Sequence, residues 1–262
     1  MSATRDLATV AISTVALAVS FYSVWDKRRD MQRQWQNRLN EIVDELNTIT
    51  LEQQKLTTAY GGSSPDRHGD RGGLGGLYND RRELLCREGV TLAELLGSHI
   101  TDSHYRILAT ALERVGDKPG AEAFWRKAVE AAPRDSIFRL FVLRGHARYL
   151  FINGLIDRGR AVYQEAVGTG AEVACSDSDH RSFHTGWSYL QWAVSERNIG
   201  APESEVQRLI DAAQHQFEQV IYRRHREDAL EALDAIRDPP ATLLHDARRA
   251  ARTASPYPGE AG

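Results

Sequence analysis

The sequence is poor in cysteine, with only Cys86 and Cys175 among its 262 residues. Two cysteines cannot form the dense disulfide framework that small secreted domains use, and neither belongs to a Cys-x-x-Cys pair. This usage is typical of a domain in a reducing compartment. A small disulfide-stapled scaffold is therefore excluded.

A strong charge of either sign is also missing. The chain has 33 basic and 36 acidic residues and a net charge of −3, and only four of the basic residues are lysine. Nucleic-acid binding depends mainly on the attraction between basic side chains and phosphates. Because no positive field of that kind is present, we expect no nucleic-acid partner.

The common catalytic signatures are absent from the sequence. It has no Gly-x-Ser-x-Gly, no His-Glu-x-x-His, no Ser-His-Asp signature and no nucleotide-binding glycine fingerprint. The glycine-rich stretch 61–76 has no Gly-Lys-Ser/Thr and no strand before it, so it does not predict a phosphate-binding loop. We therefore expect neither an enzyme nor a bound cofactor.

One cluster of metal-binding residue types lies between positions 175 and 184. It consists of Cys175, Asp177, Asp179, His180 and His184. The spacing matches no standard zinc motif, and a calcium loop would need its glycine and closing glutamate. We interpret the cluster as a solvated loop between helices, with no metal bound.

An uncharged segment near the start, 7–25, predicts a membrane-spanning helix. Its 19 residues would span about 28 Å as a helix, close to the thickness of the hydrocarbon core. Tyr22 and Trp25 lie at one end, as expected for rings in the headgroup region. A cleaved secretory signal is the alternative, but the residues before the segment are nearly neutral and the apolar run is long.

The residues that flank this segment predict its orientation. Arg5 is the only basic residue before it, whereas five basic residues follow between positions 27 and 38. Basic residues stay preferentially on the cytoplasmic side. We therefore expect a single-pass protein of the cell membrane, with residues 1–6 as a short outside tail and the rest of the chain in the cytoplasm.

The segment 26–58 predicts a helical stem with a heptad repeat. The a positions are Leu39, Leu46 and Gln53, and the d positions are Trp35, Ile42, Ile49 and Leu56. A heptad repeat of this kind is typical of a coiled coil and hence of a homo-oligomer. Packing of the same apolar stripe on the chain's own domain is the alternative.

The remaining residues predict a linker, a helical domain and a tail. The range 59–76 is rich in glycine and typical of a flexible linker. The range 77–252 lacks strand periodicity and is punctuated by glycine and proline, so the fold class is all-α. Thr91 with Glu94 predicts a capping box, and Asp117 predicts the cap of another helix. Residues 253–262 predict a disordered tail.

The range 103–133 has the pattern of a helix pair. The two helices are separated by a Gly116-Asp117 turn, and Pro133 ends the pair. Large and small apolar residues recur in them at helical spacing: Tyr105, Leu108, Ala109, Leu112, Ala121, Trp125 and Ala128. This pattern resembles the tetratricopeptide repeat family. The pattern recurs 38 residues later at Leu143, Ala147, Leu150, Gly154, Gly159, Tyr163 and Ala166. A degenerate third pair has Trp187, Leu190, Val194, Val206, Ile210 and Ala213, and leucines from Leu230 to Leu244 would close the open end.

The resemblance implies an α-solenoid of about three helix pairs that binds a peptide along its first helices. The residues expected on this face are Arg106, Thr110, Phe141, Arg144, Arg148, Phe151 and Trp192. The arginines suit carboxylates and the aromatic rings suit apolar side chains. The family's lysine and asparagine clamp for a terminal carboxylate is not reproduced, so we expect an acidic or mixed peptide. The function that we predict is a membrane-tethered adaptor or scaffold for an unknown cytoplasmic protein, and the alternative is a homo-oligomeric membrane assembly held by the stem.

Overall fold

The computed structural model describes the backbone of residues 3–59, 74–134, 136–172 and 178–237, and side chains within 22–55, 76–134, 136–170 and 178–237. These ranges contain α-helices and no strand, so the all-α prediction is confirmed. In chain order the helices are α1 (Ala3–Ala59), α2 (Leu74–Leu96), α3 (Asp102–Val115), α4 (Lys118–Ala131), α5 (Ile137–Ile152), α6 (Ile156–Glu172), α7 (Ser178–Asn198), α8 (Glu203–Glu218) and α9 (Arg223–Arg237). Contacts between Cα atoms divide the chain into two compact units, Met1–Ala121 and Glu122–Gly262.

The first unit begins with α1, a helix of 57 residues. The predicted membrane segment 7–25 and the predicted stem 26–58 both belong to this one helix. The side chains of residues 7–21 lie outside the described ones. Among the residues that the structure describes, no helix is long and apolar enough to cross a membrane. The membrane span therefore stays a prediction.

The heptad positions of α1 are buried within the first unit. Leu39, Ile42, Leu46 and Ile49 are all buried, and α1 packs against both α2 and α3. A Cβ atom at Gly89 of α2 would lie 3.3 Å from Ile42, so the two helices approach closely. The predicted coiled-coil stem is thus corrected, because its apolar stripe is covered by helices of the same chain. Periodicity alone cannot distinguish packing on a second copy of the chain from packing on the chain's own helices, since both bury one side of a helix.

Ion pairs at the edges hold α2 to α1. Arg38 of α1 donates to Glu88 of α2 at 2.7 Å, and Arg81 of α2 pairs with Glu45. Residues 60–73, most of the predicted linker, lie outside the described residues. The predicted capping box is wrong, because Thr91 lies inside α2 and its hydroxyl donates to the carbonyl of Arg87.

The second unit is built from helices that pack on their neighbours in sequence. Helix α5 packs on α6 and α7, α6 also packs on α7, and α7 packs on α8 and α9. Its core contains the apolar positions that the repeat pattern marks in α5 to α8, among them Ala147, Tyr163, Leu190, Val206, Ile210 and Ala213. Leu233 of α9 is buried there too. Leu243, Leu244 and the predicted tail 253–262 lie outside the described residues.

Three turns between helices have the same local geometry. Gly116, Gly154 and Gly200 end α3, α5 and α7 with positive φ angles of 85°, 78° and 77°. In each turn the amide after the glycine donates to the carbonyl five residues earlier, at 2.9–3.0 Å. Glycine suits this left-handed backbone because it has no Cβ. The predicted cap of α4 is confirmed, since Asp117 accepts a hydrogen bond from the Gly120 amide at 3.0 Å.

Candidate functional site

Four side chains form one stripe along α5, which we call the α5 stripe: Phe141, Arg144, Arg148 and Ile152. Their spacing of three and four residues places them on one side of a helix. The helix starts where the Ser136 side chain accepts a hydrogen bond from a backbone amide. Three members of the α5 stripe are half-buried, and Ile152 is exposed. This side of α5 is therefore accessible in the second unit.

The amino-terminal half of the α5 stripe contacts α7 through aromatic rings. The Phe141 ring meets the His184 ring edge-on with their centroids 4.5 Å apart. The Arg144 guanidinium lies 5.0 Å from the centre of the Phe141 ring. Burial lowers the pKa of His184 to about 4, and the positive charge of Arg144 acts in the same direction. His184 is therefore neutral near pH 7, and the positive charge here belongs to the arginine.

A cleft of about 560 Å³ opens at the carboxyl-terminal ends of α5 and α7. It is lined by Arg148, Phe151, Ile152, Gln191, Val194, Ser195, Asn198 and Ile199. Its volume lies within the range of small-ligand pockets, roughly 300–1,000 Å³. Four of these residues are apolar and four are polar or charged, so the cleft can make both apolar contacts and hydrogen bonds to a ligand.

Phe151 forms the floor of this cleft and is itself buried. A Cβ atom at Gly159 of α6 would lie 2.5 Å from the Phe151 ring, so the missing side chain makes room for the ring. The ring also lies 5.6 Å from the ring of Tyr163. Phe151, which the sequence predicts as an apolar anchor of the peptide-binding face, thus lines the cleft although most of its ring is buried.

Trp192 does not lie on the accessible side of α7, contrary to the sequence-based expectation. It is 8% exposed, and its ring stacks on Tyr163 of α6 at 5.7 Å. The indole nitrogen donates to Glu196 at 3.0 Å. The sequence of α7 alone does not show which of its sides packs against α6, so the side on which Trp192 lies could not be predicted from it. Trp192 therefore belongs to the wall between α6 and α7.

Glu196 is the residue that this wall is built around, and the sequence reasoning missed it. It is 1% exposed and receives two hydrogen bonds of 2.7 Å from Arg160 of α6. The Arg160 hydrogen bonds hold the pKa of Glu196 below its ordinary value, although burial opposes this. The one feature of the sequence that could have indicated the Arg160–Glu196 pair is a glutamate on the predicted buried side of α7.

The same wall contains a buried hydroxyl pair behind the cleft. The Tyr163 hydroxyl lies 3.1 Å from the Ser195 hydroxyl, and Ser195 lines the cleft. Burial raises the pKa of Tyr163 to about 12. The phenol is therefore neutral, and it orients Ser195 without adding charge to the site.

Arg106 and Thr110 belong to the first unit, on α3. Arg106 is exposed, and its backbone carbonyl accepts a hydrogen bond of 2.9 Å from the Thr110 hydroxyl. The other five residues predicted for the peptide-binding face belong to α5 and α7 of the second unit. The structure thus brings together Phe141, Arg144, Arg148 and Phe151, with Trp192 behind them.

Asp179 of the metal-like cluster caps a helix. Its carboxylate accepts hydrogen bonds of 2.7–2.9 Å from the amides of Ile221 and Tyr222, directly before α9. Burial raises the pKa of Asp179, but these two amides outweigh it and the net pKa is lowered. Cys175 and Asp177 lie outside the described residues. No group of three metal-binding side chains exists within the described ranges.

Comparisons with known proteins return no relatives: no family model, no curated protein and no solved structure matches the chain. The cleft offers a guanidinium, two amide side chains and an apolar floor. These groups can recognise a ligand that has both a carboxylate and an apolar part.

Proposed function

We propose that this protein is a membrane-tethered adaptor that binds a peptide segment of a cytoplasmic protein in the cleft between α5 and α7. The amino-terminal part of α1 holds it in the membrane, and the second unit presents the cleft. Binding, rather than catalysis, is the role that the groups in the cleft suit best. The cleft is the single observation on which the binding role depends.

The packing order of the second unit supports a repeat-like interpretation. Each first helix contacts its own partner and the next first helix, as α5 does with α6 and α7. The equivalent glycine turns at Gly154 and Gly200 end the first helices of two successive pairs. Stacked helix pairs create extended concave surfaces that bind peptides. We therefore infer a short tetratricopeptide-like solenoid.

The tether rests on the sequence of 7–25 and its basic flank. Tyr22 and Trp25 are exposed on α1 with their rings 6.4 Å apart, and Arg29 lies 5.5 Å from the Trp25 ring. Exposed aromatic rings next to arginines suit the membrane interface. No other helix in the described part of the chain covers these two rings.

Fractionation of cells that express the full chain tests the tether. The wild type is expected in the membrane pellet after alkaline carbonate extraction. Leu17→Arg, which places a charge at the centre of the segment, is expected to move the protein into the supernatant, because such a charge costs about 2.5–3.5 kcal/mol on insertion. Leu17→Ile is the matched control. A wild type that is extracted fully by carbonate would contradict the tether.

Quantitative affinity purification from membranes tests the cleft. We expect Arg148→Glu to lose the proteins that copurify with the wild type, since it reverses the one charge in the cleft lining. Arg224→Glu changes an exposed arginine of α9 and serves as the control. An unchanged set of copurifying proteins with Arg148→Glu would rule out this binding site.

A homo-oligomeric membrane assembly is the second candidate function. Its contact surface would lie on α2 and not on the heptad positions of α1. The heptad positions of α1 are buried, but Leu77, Leu84 and Leu95 are exposed on one side of α2 at spacings of 7 and 11 residues. Such spacing suits packing against another helix. Light scattering of the full chain in detergent distinguishes the candidates. A dimer that Leu84→Glu converts to a monomer would favour assembly, and a monomeric wild type would exclude it.

A further inference from the structure

The side chains of residues 22–34 of α1 are not covered by any other helix in the described part of the chain. Every one of them is exposed, Trp35 is half-buried, and Leu39 is the first that is buried. The first ion pair from α1 to another helix within the described ranges joins Arg38 to Glu88. This stretch of α1, directly after the predicted membrane segment, therefore has a surface that is open to a partner.

The open stretch of α1 is positively charged. Between positions 26 and 33 four basic residues stand against two acidic ones, a net charge of +2: Asp26, Lys27, Arg28, Arg29, Asp30 and Arg33. Arg33 is engaged, because its guanidinium lies 3.6 Å from the Asp30 carboxylate in an exposed pair. Within the described part of the chain, the three consecutive cations at 27–29 form no ion pair with a carboxylate. Their charge is therefore available to an anion from outside the chain.

The aromatic rings beside these cations indicate their depth in a bilayer. Tyr22 and Trp25 are 66% and 57% exposed, with their ring centroids 6.4 Å apart. Such rings prefer the headgroup region. Because a helix rises about 1.5 Å per residue, positions 27–29 lie roughly 3–6 Å beyond Trp25 along the helix axis. The headgroup layer is roughly 5–7 Å thick on each side of the hydrocarbon core, so the three cations lie at the level of the lipid phosphates when Trp25 is at the interface.

Arg29 is positioned by Trp25 and can still donate hydrogen bonds to a phosphate. Its guanidinium lies 5.5 Å from the centre of the Trp25 ring. A guanidinium that lies over a ring uses its flat face, and the N–H groups at its edge remain donors. Two such N–H groups can bind two oxygens of one phosphate group. The contact with Trp25 thus holds a forked donor at the depth of the lipid phosphates.

We propose that Lys27, Arg28 and Arg29 form a binding site for the headgroups of anionic phospholipids. Lys27 and Arg28 attract the negative surface, and Arg29 donates to a lipid phosphate from its position over Trp25. A zwitterionic headgroup also contains a phosphate, but its own cation cancels the charge, so the site selects lipids with a net negative charge. This inference rests on the proposed tether, since it specifies the lipid that the tether contacts.

Native mass spectrometry of the full chain in detergent micelles tests this inference. The probes are phosphatidylglycerol and phosphatidylcholine with identical acyl chains, added in equal amounts. Each basic residue near an anionic surface changes binding by about fivefold, so we expect the wild type to prefer phosphatidylglycerol by about tenfold to thirtyfold. The triple variant Lys27→Gln, Arg28→Gln, Arg29→Gln is expected to bind the two lipids about equally.

Two further variants separate the site from the overall charge of the chain. Lys55→Gln, Arg134→Gln, Arg224→Gln removes three exposed cations elsewhere and is expected to keep the wild-type preference. Asp26→Asn removes a carboxylate beside the site and is expected to increase the preference by about fivefold. Both changes are made at exposed side chains, so neither depends on the packing of the helices.

The outcomes distinguish this inference from the tether on which it rests. Equal binding of the two lipids by the wild type, or an unchanged preference in the triple variant at 27–29, would overturn the lipid site. Complete displacement of phosphatidylglycerol by an excess of inorganic phosphate would also overturn it, because the site would then recognise a free anion. If the wild type resists carbonate extraction in these cases, the tether stands. A wild type that carbonate extracts fully would overturn both.

Discussion

Arg160 of α6 and Glu196 of α7 form a two-point ion pair, with both hydrogen bonds at 2.7 Å and the carboxylate 1% exposed. Trp192 donates a third hydrogen bond to the same carboxylate. A buried carboxylate with all its partners in place orients the helices that hold it. This pair therefore fixes the wall behind the cleft between α5 and α7.

Glu196→Gln is expected to destabilise the protein by about 2 kcal/mol, because it removes the charge that Arg160 pairs with. The change is measured by urea denaturation of the full chain. Glu227→Gln removes the acidic partner of the exposed pair with Arg223 and is expected to have no measurable effect. Equal stabilities of Glu196→Gln and the wild type would show that the buried pair does not contribute to the free energy of unfolding.

Gly159→Ala is expected to destabilise the protein by about 1–2 kcal/mol, because its Cβ would lie 2.5 Å from the Phe151 ring. Displacement of that ring should also weaken peptide binding. Gly168→Ala is the matched control on the same helix, where an added Cβ meets nothing within 4 Å. The control should be more stable than the wild type by about 0.5–1 kcal/mol. Equal effects of the two variants would contradict this account of the cleft floor.

His146 makes the stability of the protein dependent on pH. It is buried on α5 beside the Trp125 ring, and burial lowers its pKa to about 4. The unfolded chain binds this proton near pH 6.5, so between pH 6.5 and 4 the unfolded state binds more protons. Stability should therefore be complete above about pH 6.5 and fall by about 3 kcal/mol as the pH falls toward 4.

Chemical denaturation at a series of pH values measures this dependence. His146→Met should remove about half of it, because burial also lowers the pKa of His184 to about 4. His99→Gln, at an exposed residue, should leave the dependence intact. A wild-type profile that is flat between pH 4 and 6.5 would contradict the burial of a neutral His146.

Asp179 should determine how firmly α9 is held, since it accepts the amide hydrogens of Ile221 and Tyr222. Asp179→Ala is expected to raise hydrogen exchange across residues 221–237, because the amino-terminal end of α9 loses its cap. The lowered pKa of Asp179 means that its stabilising effect is present above about pH 4 and is lost as the pH falls through the folded-state pKa.

Asp228→Asn, on the exposed side of α9, is the control for this exchange experiment. It should leave the protection of residues 221–237 as in the wild type. Equal protection of Asp179→Ala and Asp228→Asn would mean that other contacts hold α9.

Local signals predicted much of the fold, and tertiary partners were the part that they could not predict. The turns at Gly116, Gly154 and Gly200 follow from backbone requirements within a few residues. The stem of α1 shows the limit, because its heptad pattern fits a second chain as well as α2 and α3. Thr91 shows another, since a capping motif inside a longer helix leaves the hydroxyl bonded to the preceding turn.

The structure brings together only part of the predicted peptide-binding face, for the same reason. The α5 stripe follows from helical spacing, so Phe141, Arg144 and Arg148 share one side of the helix. Burial of Trp192 depends on α6, which a single helix pattern does not contain. The Arg160–Glu196 pair joins residues 36 positions apart, and such pairs are invisible to local periodicity.

Photo-crosslinking in native membranes tests the central claim most directly. A photoreactive amino acid replaces Asn198 at the cleft in the full chain, and the crosslinked peptides are sequenced by mass spectrometry. We predict that membrane fractions yield segments of a cytoplasmic protein, and that Arg148→Glu abolishes them. The same products from a photoreactive residue at position 224, or no crosslinks from position 198 in membranes, would contradict it.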